Sequence, residues 1–290
     1  MRVLITGAGG QVGRELVRQA PPQAEVRAVE RSELDIGDPL AVRELVAAFA
    51  PEVILNAAGY TAVDKAEHEH EAALRVNAEG PRLLAAAAAA RHGCRLVHIS
   101  TDYVFDGEGA RAWRPDDTPH PLGVYGRTKL EGERAVLAAL GQRAVVLRTS
   151  WVYGAHGRSF LHTMLRLMRE RGAVRVVADQ IGAPTSTPAL AEALWQFARR
   201  PGLAGVHHWS DAGVASWYDF AIAIAEIGAA LGLLPAAVEV RPIATEDYPT
   251  PAKRPAMSLL DTRATVSALG LEPHHWRKRL REVMQDLKHA

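Results

Sequence analysis

With 290 residues, 48% of them hydrophobic, the chain can bury a large core, which excludes disorder as its overall state. Its 34 basic and 33 acidic residues leave a formal net charge of +1, which excludes the electrostatic footprint of a nucleic-acid or anionic-membrane binder and points to a small-molecule partner. No apolar run reaches the roughly 18 to 20 residues that span a bilayer, and the single cysteine, Cys94, cannot close an internal disulfide, so the expected location is a reducing cytoplasm.

The first half alternates short β-branched runs with helical patterns. Residues 2–6 read as a strand that runs directly into a turn carrying Gly7, Gly10 and Gly13, and a helix follows over 11–19. Each glycine lets backbone come close to something. In dinucleotide folds that something is the pyrophosphate, received by free N–H groups and the positive end of the helix dipole. The spacing alone also suits a simple tight turn; its place between a clean strand and a clean helix favours the cofactor.

A second strand over 25–29 ends at Glu30-Arg31, about 20 residues past the glycine turn, where a side chain selects on the adenine ribose. Glu30 suits a free ribose diol and NADH, whereas Arg31 suits a 2′-phosphate and NADPH, so use of either cofactor is expected. Asp35 and Ile36 come next, placed either to touch the adenine edge or to form a capping turn into Asp38-Pro39 and the helix over 39–49. The third strand, 52–55, ends in Asn56 and two alanines before Gly59, Tyr60 and Thr61, small enough at first to let the cofactor approach. One helix is predicted over 69–91; it holds Asn77, the only asparagine besides Asn56, and both fall within reach of the carboxyl edge of the sheet, although Asn77 also reads as an ordinary polar group inside its helix.

The fourth strand, 95–99, is entered through Cys94 and is followed by Ser100, Thr101 and Asp102, whose polar groups emerge at the same carboxyl edge as the cofactor loops. The next helix, 125–140, carries Tyr125 and Lys129 on one face, one turn apart. A free phenol, with a pKa of about 10, is a poor acid at neutral pH, and a neighbouring ammonium draws it toward the working range. Two ordinary residues on a half-exposed helix would show the same spacing. Only five of the 34 basic residues are lysines, however, so a lysine at 129 reads as chosen for its compact charge.

A fifth strand over 144–148 precedes a looser second half, with helices over 160–171, 188–199 and 217–231, Thr187 and Ser216 as N-caps, and a C-terminal helix over 276–287. Pro249, Pro251 and Pro255 keep the stretch 245–255 irregular, and His207 and His208 read as strand residues. The predicted fold is α/β, a Rossmann-like, doubly wound parallel sheet with a smaller C-terminal substrate-binding lobe. Residues 1–150 form the dinucleotide-binding domain with its Tyr/Lys pair, and 151–290 mainly the substrate-binding lobe, interleaved with the first.

The glycine turn, Ser100-Thr101 and Tyr125-x-x-x-Lys129 together resemble the extended short-chain dehydrogenase/reductase family. The segments 10–13, 60–67, 100–107, 125–130, 148–154, 179–185 and 216–221 narrow the resemblance to the dTDP-4-dehydrorhamnose reductases, and cover nearly the whole chain. The resemblance implies that NAD(P)H delivers hydride to C4 of dTDP-4-dehydro-L-rhamnose, Tyr125 protonates the new hydroxyl, Lys129 tunes Tyr125 and holds the nicotinamide ribose, and Thr101 orients the carbonyl. It implies cofactor contacts from Gly7, Gly10, Gln11, Val12 and Glu30, and further contacts from Asp35, Ile36, Gly59, Tyr60 and Thr61. Thr101, Asp102 and Trp151 would meet the sugar nucleotide, and Trp151 also reads as a core aromatic. A homodimer is expected. Some relatives carry Mg²⁺ at a dimer contact, but His68, His70, His207 and His208 show no metal-ligand spacing, so no catalytic metal is expected.

Two rival readings share the scaffold. One is a non-catalytic regulatory subunit, like the partner subunit of methionine adenosyltransferase; the retained Thr101, Tyr125 and Lys129 argue against it. The other is a different sugar-nucleotide reductase or epimerase.

Overall fold

The computed structural model describes residues 1–235 and 238–289. At its centre lie strands β1 (Arg2–Thr6), β2 (Glu25–Val29), β3 (Val53–Asn56), β4 (Arg95–Thr101) and β5 (Ala144–Thr149), joined by a sixth strand, Gly205–Trp209. All pair in parallel, in the order Gly205–Trp209, β5, β4, β3, β1, β2. The helices between the first five strands are α1 (Gln11–Arg18), α2 (Pro39–Phe49), α3 (Val63–Ala66), α4 (His70–Leu74), α5 (Gly80–Ala89) and α6 (Val124–Leu140).

The central strands are apolar on both faces because helices cover both, as a parallel sheet requires. Alternation sorts them. Val3, Ile5, Val97 and Leu147 face α1 and the helix Thr187–Arg199, whereas Leu4, Leu96 and Val146 face α2, α5 and α6. The edge strand β2 exposes Glu25 and Arg27 instead. A separate apolar cluster holds the later lobe together, with Tyr153, Leu161, Phe220 and Trp276 at its centre.

Several sequence expectations shift by a residue or a turn. β4 runs on through Ser100 and Thr101, so both are strand residues rather than loop. The helix expected over 69–91 is broken by a π-turn, Arg75–Glu79, between α4 and α5. The residue at the N-cap of Thr187–Arg199 is Ser186, with Thr187 already helical. Ser216 does cap the helix Trp217–Ala230, through a capping box with Asp219. The stretch 245–255 holds only a 3-10 turn, Thr245–Asp247.

Sheet and later lobe are tied together just past the sixth strand. Buried Asp211 accepts hydrogen bonds from the Ser186 backbone N–H at 2.9 Å and its hydroxyl at 3.3 Å, fixing the start of Thr187–Arg199. Burial pushes the Asp211 carboxyl up from 3.8 to about 7. The folded state therefore keeps a proton that the unfolded chain releases, and the contribution of Asp211 to stability falls as pH rises between those two values. Buried His98 and His208, both held below the usual imidazole range by burial, give the opposite trend. The difference between Asp211→Asn and the parent cancels that trend. Guanidinium midpoints should therefore move in favour of Asp211→Asn as pH rises from about 4 to about 7; parallel curves would remove Asp211 as the cause.

Candidate active site

The sheet reverses its winding direction at β1, which lies between β2 and β3, and the crevice beyond the carboxyl ends of these strands is where ligands bind in open α/β sheets. Gly7 sits there with φ +75°, a conformation costly for other residues. A Cβ on it would lie 2.5 Å from the Ala58 nitrogen, and one on Gly13 would lie 2.1 Å from the Gly7 carbonyl oxygen. Gly10 is the N-cap of α1 and donates its N–H to the Gly7 carbonyl at 3.0 Å. The turn is thus as tight as backbone permits, with the first turn of α1 aimed out of it, which fits a pyrophosphate.

Around this turn stand the other residues picked out by sequence. Gln11 donates to the Arg158 carbonyl at 2.9 Å, and Val12 packs against the sheet core. Glu30 and Arg31 are both exposed past the end of β2, with the Glu30 carboxylate against Gly9. Asp35 accepts from the Gly37 N–H at 2.9 Å and pairs with Arg75 at 2.7 Å. The capping turn is present, since Asp38 accepts from Leu40 and Ala41; Ile36 is buried against Gly80.

Gly59, Tyr60 and Thr61 follow β3, and Asn77 stands at this edge, holding the loop rather than serving as an ordinary polar group of its helix. Asn77 accepts from the Tyr60 N–H at 2.8 Å, donates to the Tyr60 carbonyl at 3.0 Å and reaches the Thr128 hydroxyl at 3.3 Å. It lies in the π-turn, a distortion that often accompanies functional sites. Asn56, the other asparagine, accepts from the Thr6 hydroxyl and the Ala58 N–H and contacts His98 Nδ1. Tyr60 donates to Glu69, a bond that pushes its phenol up to about 12.

The chemical groups gather at the next strand end. Thr101 is buried at the tip of β4, its hydroxyl donating to Asp102 at 3.0 Å, accepting from the Tyr103 N–H at 3.2 Å and neighbouring the phenol of Tyr125. Tyr125 opens α6 and packs edge-on against Tyr103 at 5.6 Å. Lys129, one turn on, is buried and donates to the Ile99 carbonyl at 2.5 Å. Spacing placed Lys129 as the group that lowers the Tyr125 pKa. In the structure burial outweighs everything else and pushes the phenol up to about 12, with the neighbouring Thr101 hydroxyl acting in the other direction. Burial also brings the Lys129 ammonium down to about 8, and the carboxyl of Asp102, buried beside Ser258 and Thr101, up to about 6.

Trp151 holds a left-handed backbone at φ +47° and stacks flat on Trp217 at 3.6 Å. Trp217 borders a cleft of the later lobe. The cleft, about 810 Å³, is lined among others by Tyr103, Phe160, Gln180, Trp217, Tyr248 and Arg254, and Tyr103 connects it to Tyr125. Among the described residues no three His, Cys, Asp or Glu side chains gather as a metal site, and no helix is long and apolar enough to cross a membrane.

A tight glycine turn at the switch point, with a buried Thr and Lys and a half-buried Tyr at the neighbouring strand end, defines an extended short-chain dehydrogenase/reductase with a Rossmann-like sheet. Residues 1–289 match the family described as the RmlD substrate binding domain, and the chain belongs to that family. It is 44% identical over 289 residues to a dTDP-4-dehydrorhamnose reductase of Aggregatibacter actinomycetemcomitans, covering 97% of this chain and 98% of that one. It is 45% identical over 291 residues to a probable dTDP-4,6-dihydroxy-2-methyloxan-3-one 4-ketoreductase of Streptomyces antibioticus, covering 99% and 96%. A crystal structure of dTDP-4-dehydrorhamnose reductase from Bacillus anthracis in complex with NADP superposes with a TM-score of 0.91 at 34% identity, covering 98% of this chain and 99% of that one.

Proposed function

We propose that this chain is an NAD(P)H-dependent reductase that converts the C4 ketone of dTDP-4-dehydro-L-rhamnose to the alcohol of dTDP-L-rhamnose. The observation that carries the reading is the meeting of Thr101, Tyr125 and Lys129 at one strand end beside the glycine turn, in a chain 44% identical to a reductase of that name along almost its full length. The bound cofactor supplies the hydride. The residues supply the rest. Thr101 and Tyr125 hold the ketone oxygen between two hydroxyls, and Tyr125 gives up its proton as negative charge develops there. A phenol pushed up to about 12 stays protonated at neutral pH, which is the form a reduction needs.

Lys129, beside Tyr125 on α6, would hold the nicotinamide ribose through its remaining N–H groups. Gly7, Gly10, Gln11 and Val12 would carry the pyrophosphate, Glu30, Asp35 and Ile36 the adenosine end, and Gly59, Tyr60 and Thr61 the wall between them. Asp102 and Trp151 would meet the sugar nucleotide. The reading extends to a cytoplasmic homodimer, testable by light scattering, and to the division at about residue 150.

The test is oxidation of NADPH and of NADH by the purified chain with dTDP-4-dehydro-L-rhamnose generated in place, with the product identified by chromatography. Turnover to dTDP-L-rhamnose supports the proposal, and the two rates weigh Arg31 against Glu30. Turnover only with another keto-sugar nucleotide, as the name of the Streptomyces relative invites, would replace the substrate. Retained NAD⁺ without net oxidation would favour an epimerase, and dinucleotide binding without any turnover a regulatory subunit.

A further inference from the structure

α6 grips the last three residues of β4 one by one. Tyr125 stands beside the Thr101 hydroxyl, Lys129 donates to the Ile99 carbonyl, and Glu133, one turn further, accepts from the Ser100 hydroxyl. Glu133 is 1% exposed and its carboxylate is also held by Arg148 of β5, itself 3% exposed, through a bidentate pair at 2.7 and 3.0 Å. The Arg148 guanidinium in turn lies over the Phe105 ring at 5.1 Å. Stability alone is a weak reason for such a pair, because apolar residues of similar volume often serve a core as well as a buried ion pair.

We infer that Glu133 is a positioning residue: clamped by Arg148 and Ser100, its carboxylate holds the end of β4 against α6, so that the Ile99 carbonyl keeps the Lys129 side chain aligned with Tyr125. The inference rests on the reductase reading for its purpose, but its physical content does not. Lys129 and Glu133 are four residues apart on one face of α6. Burial acts to discharge Lys129, and Glu133 is the charge that opposes this. The facing groups from the other elements give no substitute. His98 of β4 is held neutral by burial and by Lys129 itself, Arg148 of β5 is engaged with Glu133, and Asp102 acts on Tyr125.

The test uses the small number of lysines, five in the chain. Lysine labelled with ¹³C at Cε gives few resonances, and Lys129→Met assigns the one of interest. In Glu133→Gln the Lys129 titration midpoint should fall by about one pH unit or more, the scale set by losing one adjacent opposite charge, and Glu133→Asp should restore it. The alkaline limb of kcat should move to lower pH by the same interval. If Glu133→Gln does not fold, Glu133→Gln/Arg148→Met removes both partners of the pair and should still lower the midpoint, by less than the single variant because a neighbouring cation is lost with the carboxylate. An unchanged Lys129 midpoint in a folded variant lacking the Glu133 carboxylate would overturn the inference. Because the titration requires no turnover, an absent reductase activity would leave it standing, and an unchanged midpoint would leave the reductase reading standing.

Discussion

Replacing Tyr125 with Phe should slow ketone reduction by about 10²- to 10⁴-fold, the contribution of one well-placed general acid, while leaving the fold and dinucleotide binding in place. Phe keeps the ring that packs edge-on against Tyr103 and removes only the O–H beside Thr101. Nothing adjacent replaces that proton. The Lys129 N–H group is directed at the Ile99 carbonyl, and Tyr103 is half-buried, with its phenol held above the usual range by desolvation. Single-turnover oxidation of NADPH, measured beside a fluorescence titration of cofactor binding, separates the chemical step from the binding step. Tyr125→Phe retaining more than about a tenth of the parent rate would remove Tyr125 from proton transfer.

Gly13→Ala should weaken NADPH binding at least about tenfold and cost roughly 1–3 kcal/mol of stability, the range for inserting a methyl group where there is no room. The new Cβ would stand 2.1 Å from the Gly7 oxygen and 2.7 Å from the Ala8 Cα, both backbone atoms that no rotamer change can move. Either α1 recedes from the turn or the turn opens, and both spoil the N–H groups that would face a pyrophosphate. Gly10→Ala is the control, since its Cβ meets the same oxygen at 3.2 Å and needs a shift of only tenths of an ångström. Equal affinities for the two variants, read by titration beside thermal melts, would show that the closeness of Gly13 is irrelevant to the cofactor.

The parts of this molecule that sequence made legible are those set by local period. Val3, Leu4 and Ile5 announce a strand covered on both faces, and Asp38-Pro39 announces the start of α2. Tyr125 and Lys129 declare their shared helical face by spacing alone. What stayed hidden depends on distant partners. The π-turn that lets Asn77 bracket the Tyr60 peptide sits inside an unbroken helical pattern. Trp151 finds Trp217, and Glu133 finds Arg148, only through tertiary packing. The direction in which the Tyr125 pKa moves is decided by burial, about which a four-residue spacing says nothing.

The sixth strand, Gly205–Trp209, pairs with β5 from well inside the second half of the chain. During synthesis the glycine turn, the Thr101 strand end and the Tyr125 helix therefore all emerge before the sheet is complete. Until Trp209 follows Thr149 off the ribosome, β5 presents a row of unpaired, apolar edge positions, the kind of edge that templates aggregation. At ~5–20 residues per second that interval lasts about 3–12 s. The vulnerable period in the life of this protein is thus written into its strand order, and it falls between the making of the catalytic half and the arrival of the strand that seals it.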